Sequence, residues 1–381
     1  MSLLALGTFA VGTDAFVVAG FLPQMASELR VSEAAAGYSM TVFALCYAVF
    51  SPVLATLTAT VPRRRLLVAA LVVLGLANVG TALAPSFALL LVSRALAAAG
   101  AAGFTPNAGV AASSLVSAER RGRALALVIS GLTIATAIGV SLGNLASRVM
   151  GWRAALGLVA GLCLLAGAGL AALLPYLSGG VRLPLTTRLA VLRNRGVRII
   201  LPVTVLGMAA AYTAYAYAIP AFGAVGVSPE DTQWMLLLYG VGAIVGAQLS
   251  GRLTDRFGGT RVLVAGYSVM VCALAALGGL SLLAGTFPVA AGVLAVAWGA
   301  SCWCQTPPQQ YRLIAAAPGE APLVISLNAA GIYVGIAVGT FVGGLAGTAN
   351  ATWMFFSGAV LAAMAAGCLA TTGRWARREQ D

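Results

Sequence analysis

Apolar runs of some twenty residues follow one another along this chain, separated by short segments that carry arginine. That pattern decides the solvent. Hydrophobic residues make up 60% of the 381 positions and charged residues 8%, whereas a soluble domain carries roughly 25% charged residues. A surface in water cannot be built from so few charges, so most of the exterior must meet lipid. Crossing hydrocarbon takes about 20 residues of helix. Reading the runs between breaks gives spans at 3–23, 36–60, 66–84, 88–113, 123–147, 152–174, 198–222, 232–252, 261–284, 288–312, 322–346 and 352–372. The predicted fold class is an all-α membrane protein of about twelve transmembrane helices. One longer polar connection, 175–197, divides it into a six-helix bundle over 1–174 and a second over 198–381 that ends in a short tail. The first run, MSLLALGTFAVGTDAFVVAGF, lacks a basic leading segment and carries Asp14, so it reads as a retained membrane helix rather than a signal peptide.

The basic residues test this map. All 22 are arginine. With the N-terminus inside, 18 of them fall on one side of the membrane, Arg30, Arg148 and Arg153 fall on the other, and Arg94 lies within a span. Such a skew obeys the positive-inside rule, and an error in the early spans would mix the two sides. Both termini and the linker, with Arg182, Arg188, Arg193 and Arg195, are therefore predicted to be cytoplasmic. The net charge of +12 is thus topological, and with no basic patch interleaved with aromatics it does not predict nucleic-acid binding. The cysteines Cys46, Cys163, Cys272, Cys302, Cys304 and Cys368 all sit in apolar runs without zinc spacing, and there is no histidine, so neither a metal nor a cofactor is expected.

The halves echo each other. ATLTATVPRRRLL (55–67) and GRLTDRFGGTRVL (251–263) align without gaps, pairing Leu57 with Leu253, Thr58 with Thr254, Arg65 with Arg261 and Leu67 with Leu263. Gly139 and Gly143 before Trp152 are matched by Gly339 and Gly343 before Trp353. Parallel repeats of six spans that share a loop motif are a transporter architecture.

The stretch Gly251-Arg-Leu-Thr-Asp255-Arg256-Phe-Gly258-Gly-Thr-Arg261 resembles the loop signature of the major facilitator superfamily, G-x-L-x-D-R-x-G-x-x-R. GTDAFVVAGFLP (12–23), SGLTIATAIGVSLG (130–143), QTPPQQYRL (305–313) and SLNAAGIYVGIAVG (326–339) are similar to its bacterial drug:proton antiporter branch, and within it to chloramphenicol-resistance and arabinose-efflux-like transporters. The resemblance implies two pseudo-symmetric six-helix bundles, proton-coupled efflux and a bacterial inner-membrane location. The first-half loop departs from the signature, with Ala55, Ala59 and Pro62 where it has Gly, Asp and Gly, so its acid survives only as Asp255. Ser141 stands where the antiporter motif has proline, and Ala15 where the family often has an acid.

Among ten acidic residues only Asp14 lies deep in a span. A charge there costs about 2.5–3.5 kcal/mol on insertion scales and marks an ion or substrate path. A carboxyl group in hydrocarbon suits the loading and release of a proton. By helical rise, Asp14 lies roughly 14 Å below the outer end of its span and Arg94 roughly 10 Å below the same side. Those depths predict a pair across the first and fourth helices. A static pair and a switchable one look the same in sequence. Gly251, Asp255, Arg256, Gly258 and Arg261 are the expected gate, although the arginines would also serve topology alone. Gly139-x3-Gly143 and Gly335-x3-Gly339-x3-Gly343 are expected to close helix seams. Pro307-Pro308 predicts an interruption of the tenth span.

Polar and aromatic residues read as mid-span are Asn107, Tyr212, Tyr215, Trp298, Trp303, Gln305, Asn328 and Tyr333. As a group they suit an uncharged or weakly polar ligand, though each alone could serve packing. No nucleophile–base pair, metal cluster or phosphate loop points to an enzyme. The function expected is a proton-coupled exporter of small, largely apolar or weakly polar compounds, working as a monomer with the proton as its only coupling ion. The alternative is an exporter or facilitator of sugars, nucleosides or an endogenous metabolite.

Overall fold

The computed structural model describes residues 1–117, 120–179, 186, 190–283 and 285–378. Arg182 and Arg188 of the linker, with Glu119, Glu379 and Asp381, lie outside the described residues. Among the described residues, twelve helices are long and apolar enough to cross a membrane: Ser2–Gly20, Glu33–Leu57, Arg63–Ala82, Phe87–Ser114, Leu127–Met150, Trp152–Leu173, Arg195–Tyr215, Thr232–Phe257, Gly259–Leu280, Pro288–Ala316, Leu323–Ala349 and Thr352–Ala370. They are numbered first to twelfth below.

Several spans are not uniform rods. The tenth is helical over Pro288–Trp303 and again over Thr306–Ala316, with Cys304 and Gln305 between. Pro307 and Pro308 stand in the first turn of the second piece, where a missing N–H costs least. Pro52, Pro106 and Pro202, by contrast, lie inside continuous helices. The seventh ends at Tyr215 rather than running on to 222, and a separate short helix, Ala218–Gly223, follows. Two irregularities carry no proline. The first span is α-helical to Phe16 and tightens into a 3-10 turn over Val17–Gly20. The fifth widens into a π turn over Ala135–Gly139.

The chain divides into two compact units, Met1–Ser32 with Val42–Arg188, and Glu33–Thr41 with Leu189–Asp381. In the first unit the third span packs on the fourth and sixth, and the first on the fifth. In the second unit the ninth packs on the tenth and twelfth, and the seventh on the eleventh. The pairings recur six spans later, as the repeated sequence motifs require. Without a hydrophobic drive between helices in lipid, small residues close these seams. A Cβ on Gly131 would meet the carbonyl oxygen of Ala5, and one on Gly139 the hydroxyl of Thr13. Gly335, Gly339 and Gly343 set the eleventh span against the backbone of Val205, Ala209 and Thr213 on the seventh. The start of the second span belongs to the second unit, where Tyr38 stacks on Phe341 with centroids 5.8 Å apart.

A clasp fixes the other end of the first unit. Trp152 Nε1 and Arg153 Nε both donate to the Glu28 carboxylate, the latter at 2.7 Å. Arg153 Nη1 also donates to the carbonyls of Ala82 and Ala84, at 2.7 and 3.0 Å. The Arg153 bond holds the Glu28 carboxyl below its usual range, against a smaller opposing effect of partial burial.

Candidate functional site

Asp14 and Arg94 are both fully buried, and Arg94 Nη1 donates to Asp14 Oδ1 at 2.6 Å. Arg94 Nη2 donates to the main-chain carbonyl of Asp14 at 3.2 Å. The guanidinium also lies over the ring of Phe43, 4.5 Å from its centroid, a cation–π contact that strengthens when desolvated. The local fold makes room for this grip. Asp14 occurs where the first span is about to leave the α-helix, and tightening after Phe16 perturbs the i→i+4 ladder that would otherwise take up nearby carbonyls. The π turn of the fifth span packs on this same stretch of the first. The pair is incompletely satisfied. Asp14 Oδ2 and Arg94 Nε have no hydrogen-bond partner among the described residues. Buried acceptor and donor atoms without a protein partner are costly unless water or a ligand visits them.

In the second unit, Tyr212, Tyr215 and Trp298 fall into one aromatic cluster. Tyr215 lies 5.1 Å from Tyr212 and 6.4 Å from Trp298 between ring centroids. Three residues not singled out from sequence complete it. Tyr239 is 5.0 Å from Trp298, Phe222 is 6.2 Å from it, and Phe355 is 6.4 Å from it. These aromatics are almost wholly buried, and Trp298 Nε1 has no partner among the described residues. Their shared burial could not be read from a one-dimensional count of polar and aromatic positions, because five different helices supply the rings.

Of the remaining candidates, Tyr333 lies close enough to Tyr212 for the two side chains to interact electrostatically. Gln305 occupies the break of the tenth span, accepting from Tyr267 Oη at 3.0 Å and donating to Cys302 O at 2.8 Å. Asn328 Oδ1 accepts from Thr204 at 2.9 Å, leaving Nδ2 unpartnered among the described residues. Tyr333 is buried and Trp303 half-buried. Asn107 belongs to the first unit. It lies about two turns from the end of the fourth span and accepts from Arg63 Nη1 at 2.7 Å. Its position follows from the third span, which begins at Arg63 and brings that guanidinium alongside.

In the signature loop, Gly258 has φ +80° and ψ 150°, a conformation that side chains rarely adopt. Gly251 lies within the eighth span with open space around it, so sterics do not demand glycine there. Gly259 sits against Pro308 O and the Arg312 stem, seating the loop on the lower piece of the tenth span. Asp255, Arg256 and Arg261 are exposed, and Asp255 forms no ion pair among the described residues. Arg256 lies over the ring of Phe257, 5.1 Å from its centroid.

Twelve apolar spans in repeating six-helix order, with a charged pair sealed inside one unit, define a multi-pass membrane transporter. The chain belongs to the Major Facilitator Superfamily, whose family model matches residues 4–225 and 200–380. Among curated relatives, the transporter YbcL of Bacillus subtilis is 31% identical, covering 95% of this chain and 93% of its own. The inner membrane transport protein YdhP of Escherichia coli is also 31% identical, over 95% and 92%. A chloramphenicol resistance protein of Streptomyces lividans is 33% identical, over 89% and 87%. A crystal structure of a D-xylose–proton symporter superposes with TM-score 0.77 at 16% identity, covering 96% of this chain and 95% of its own; that likeness speaks to fold alone.

Proposed function

We propose that this transporter is a proton-coupled exporter of small, largely apolar or weakly polar compounds, drugs among them. The observation that carries the reading is the buried Asp14–Arg94 pair with Asp14 Oδ2 left unpartnered. A charge pair in a dry membrane interior is weak evidence for stability, since apolar residues of similar volume often do as well, so its presence favours a working role. Protonation of Asp14 would weaken the ion pair and change which arrangement of the helices is favoured, as alternating access requires. Arg94 tunes the carboxyl group, and Asp255 with its neighbouring arginines gates the mouth on the arginine-rich side. That side is the cytoplasm of a bacterial cell whose inner membrane holds the protein. The aromatic cluster around Trp298, uncharged and apolar with few polar anchors, suits the cargo class. The relative named for chloramphenicol resistance supports the same class.

The test uses proteoliposomes carrying a pH gradient, with chloramphenicol as the first probe of a drug panel. Addition of a transported compound should release protons from wild type and not from Asp14→Asn. Persistent proton exchange in Asp14→Asn would overturn the assignment. Transport that survives collapse of the gradient would make the protein a facilitator.

A further inference from the structure

The second unit carries a groove of about 490 Å³ whose apolar walls play no part in the reading above, although Arg261 of the proposed gate lines one end of it. It is bounded by the eighth, ninth and tenth spans, and its walls are almost wholly apolar. Glycines explain its shape. A Cβ on Gly242 or Gly246 would run into the backbone of Val296 or Ala300, and one on Gly299 into that of Tyr239, so the eighth and tenth spans are closed backbone to backbone. The ninth span packs more extensively on the twelfth. The wedge left between them is lined by Leu249, Phe257 and Val269, which are 47%, 45% and 45% exposed and so face outward from the unit.

One end of this apolar wedge is basic. Arg261 lines it directly. Phe257 also lines it, and the Arg256 guanidinium lies over that ring. The loop's acid does not cancel them. Gly246, Leu249, Ser250, Leu253 and Phe257 share one face of the eighth span, and Asp255 falls roughly half a turn round the helix from it. At its inner wall the groove reaches Cys304, the first residue of the break in the tenth span.

We propose that this groove is a lipid site. It holds an acyl chain of one anionic phospholipid, whose phosphate is bound by Arg261 with Arg256 at the lip. The walls match the chain, and the two guanidiniums match the phosphate, as basic pockets between membrane helices do for anionic headgroups. Lipid that merely solvates a helix face would show no headgroup preference. The bound chain lies against Cys304, so occupancy steadies the interrupted helix.

The full chain, extracted from phosphatidylglycerol-containing membranes into a neutral detergent, is examined by native mass spectrometry. One phosphatidylglycerol should be retained per chain, and phosphatidylcholine should not replace it. Arg261→Gln should reduce the retained fraction roughly fivefold, the effect of one near-surface arginine. Ala265→Trp, which fills the groove from its outward wall, should reduce it as well, and Val269→Trp serves as a second filling variant. Arg252→Gln, turned roughly a third of a turn away from the groove face, should leave retention unchanged. Glycerol phosphate without acyl chains should not compete. Equal retention of phosphatidylcholine, or undiminished phosphatidylglycerol in Arg261→Gln or in both filling variants, would overturn the proposal. So would a dimer abolished by Ala265→Trp, since the groove would then be an interface between copies.

Discussion

Arg94 holds Asp14 twice, by a carboxylate oxygen at 2.6 Å and by the main-chain carbonyl at 3.2 Å, with both side chains sealed from solvent. Removing one member strands the other as an uncompensated charge, which costs about 3–5 kcal/mol in buried pairs. Arg94→Met should therefore lower thermal stability in detergent sharply. Asp14→Leu combined with Arg94→Met should regain much of the loss while remaining inactive in proton-coupled transport. A double variant as unstable as the single would show that the pair is not the source of the effect.

The seam between the seventh and eleventh spans should be intolerant of bulk. A Cβ on Gly339 would meet the backbone of Ala209, and one on Gly343 the carbonyl of Thr213, neither of which can swing aside. Gly339→Leu should cost at least the 1–3 kcal/mol typical of overpacking, read as a lowered melting temperature. Gly367→Ala, with open space around it, is the control and should be nearly silent.

The Glu28 clasp predicts a weak acid dependence. Its folded carboxyl is held below its usual value of 4.5, chiefly by the bond from Arg153. The contribution is therefore fully present above the unfolded value and is lost as pH falls through the folded one. With the two side chains 34% and 49% exposed, solvent screening limits it to roughly 0.2–1 kcal/mol. Thermal melts should show Glu28→Gln slightly less stable than wild type at pH 7, with the gap closing as pH falls below 4.

Asn107 offers a discriminating experiment on cargo contacts. Because its carbonyl is held by Arg63 near the end of the fourth span, Asn107→Ala should cost about 1.5–3 kcal/mol of stability, the range for a hydrogen bond to a charged group. It should leave the pattern of drug susceptibility in expressing cells unchanged. Trp298→Ala should alter that pattern.

Hydropathy and the arginine skew made the twelve spans legible, because the demand for apolar length in lipid is severe and local. The meeting of Asp14 with Arg94 was legible for a related reason. Each is the lone charge of its kind at depth, and helical rise sets their levels. The prolines of the tenth span announced its break. Nothing comparable announced the tightening after Phe16 or the π turn at Ala135–Gly139, which arise from packing between spans rather than from residue preference. Tyr239, Phe222 and Phe355 were missed because membership of a cluster depends on helix rotation in three dimensions. The bond from Arg63 to Asn107 was missed because it depends on how the third and fourth spans lie side by side. The lipid-facing groove had no signature, since where neighbouring spans part depends on how the helices cross.

The carbonyl of Asp14 holds no titratable hydrogen. When the neighbouring carboxyl group is neutralised, one of the two tethers on the guanidinium slackens and the other stays. Arg94 is then a hinge pin that loosens without dropping out, already in place when the charge returns. In the proposed proton cycle, that retention would matter more than a tighter bond.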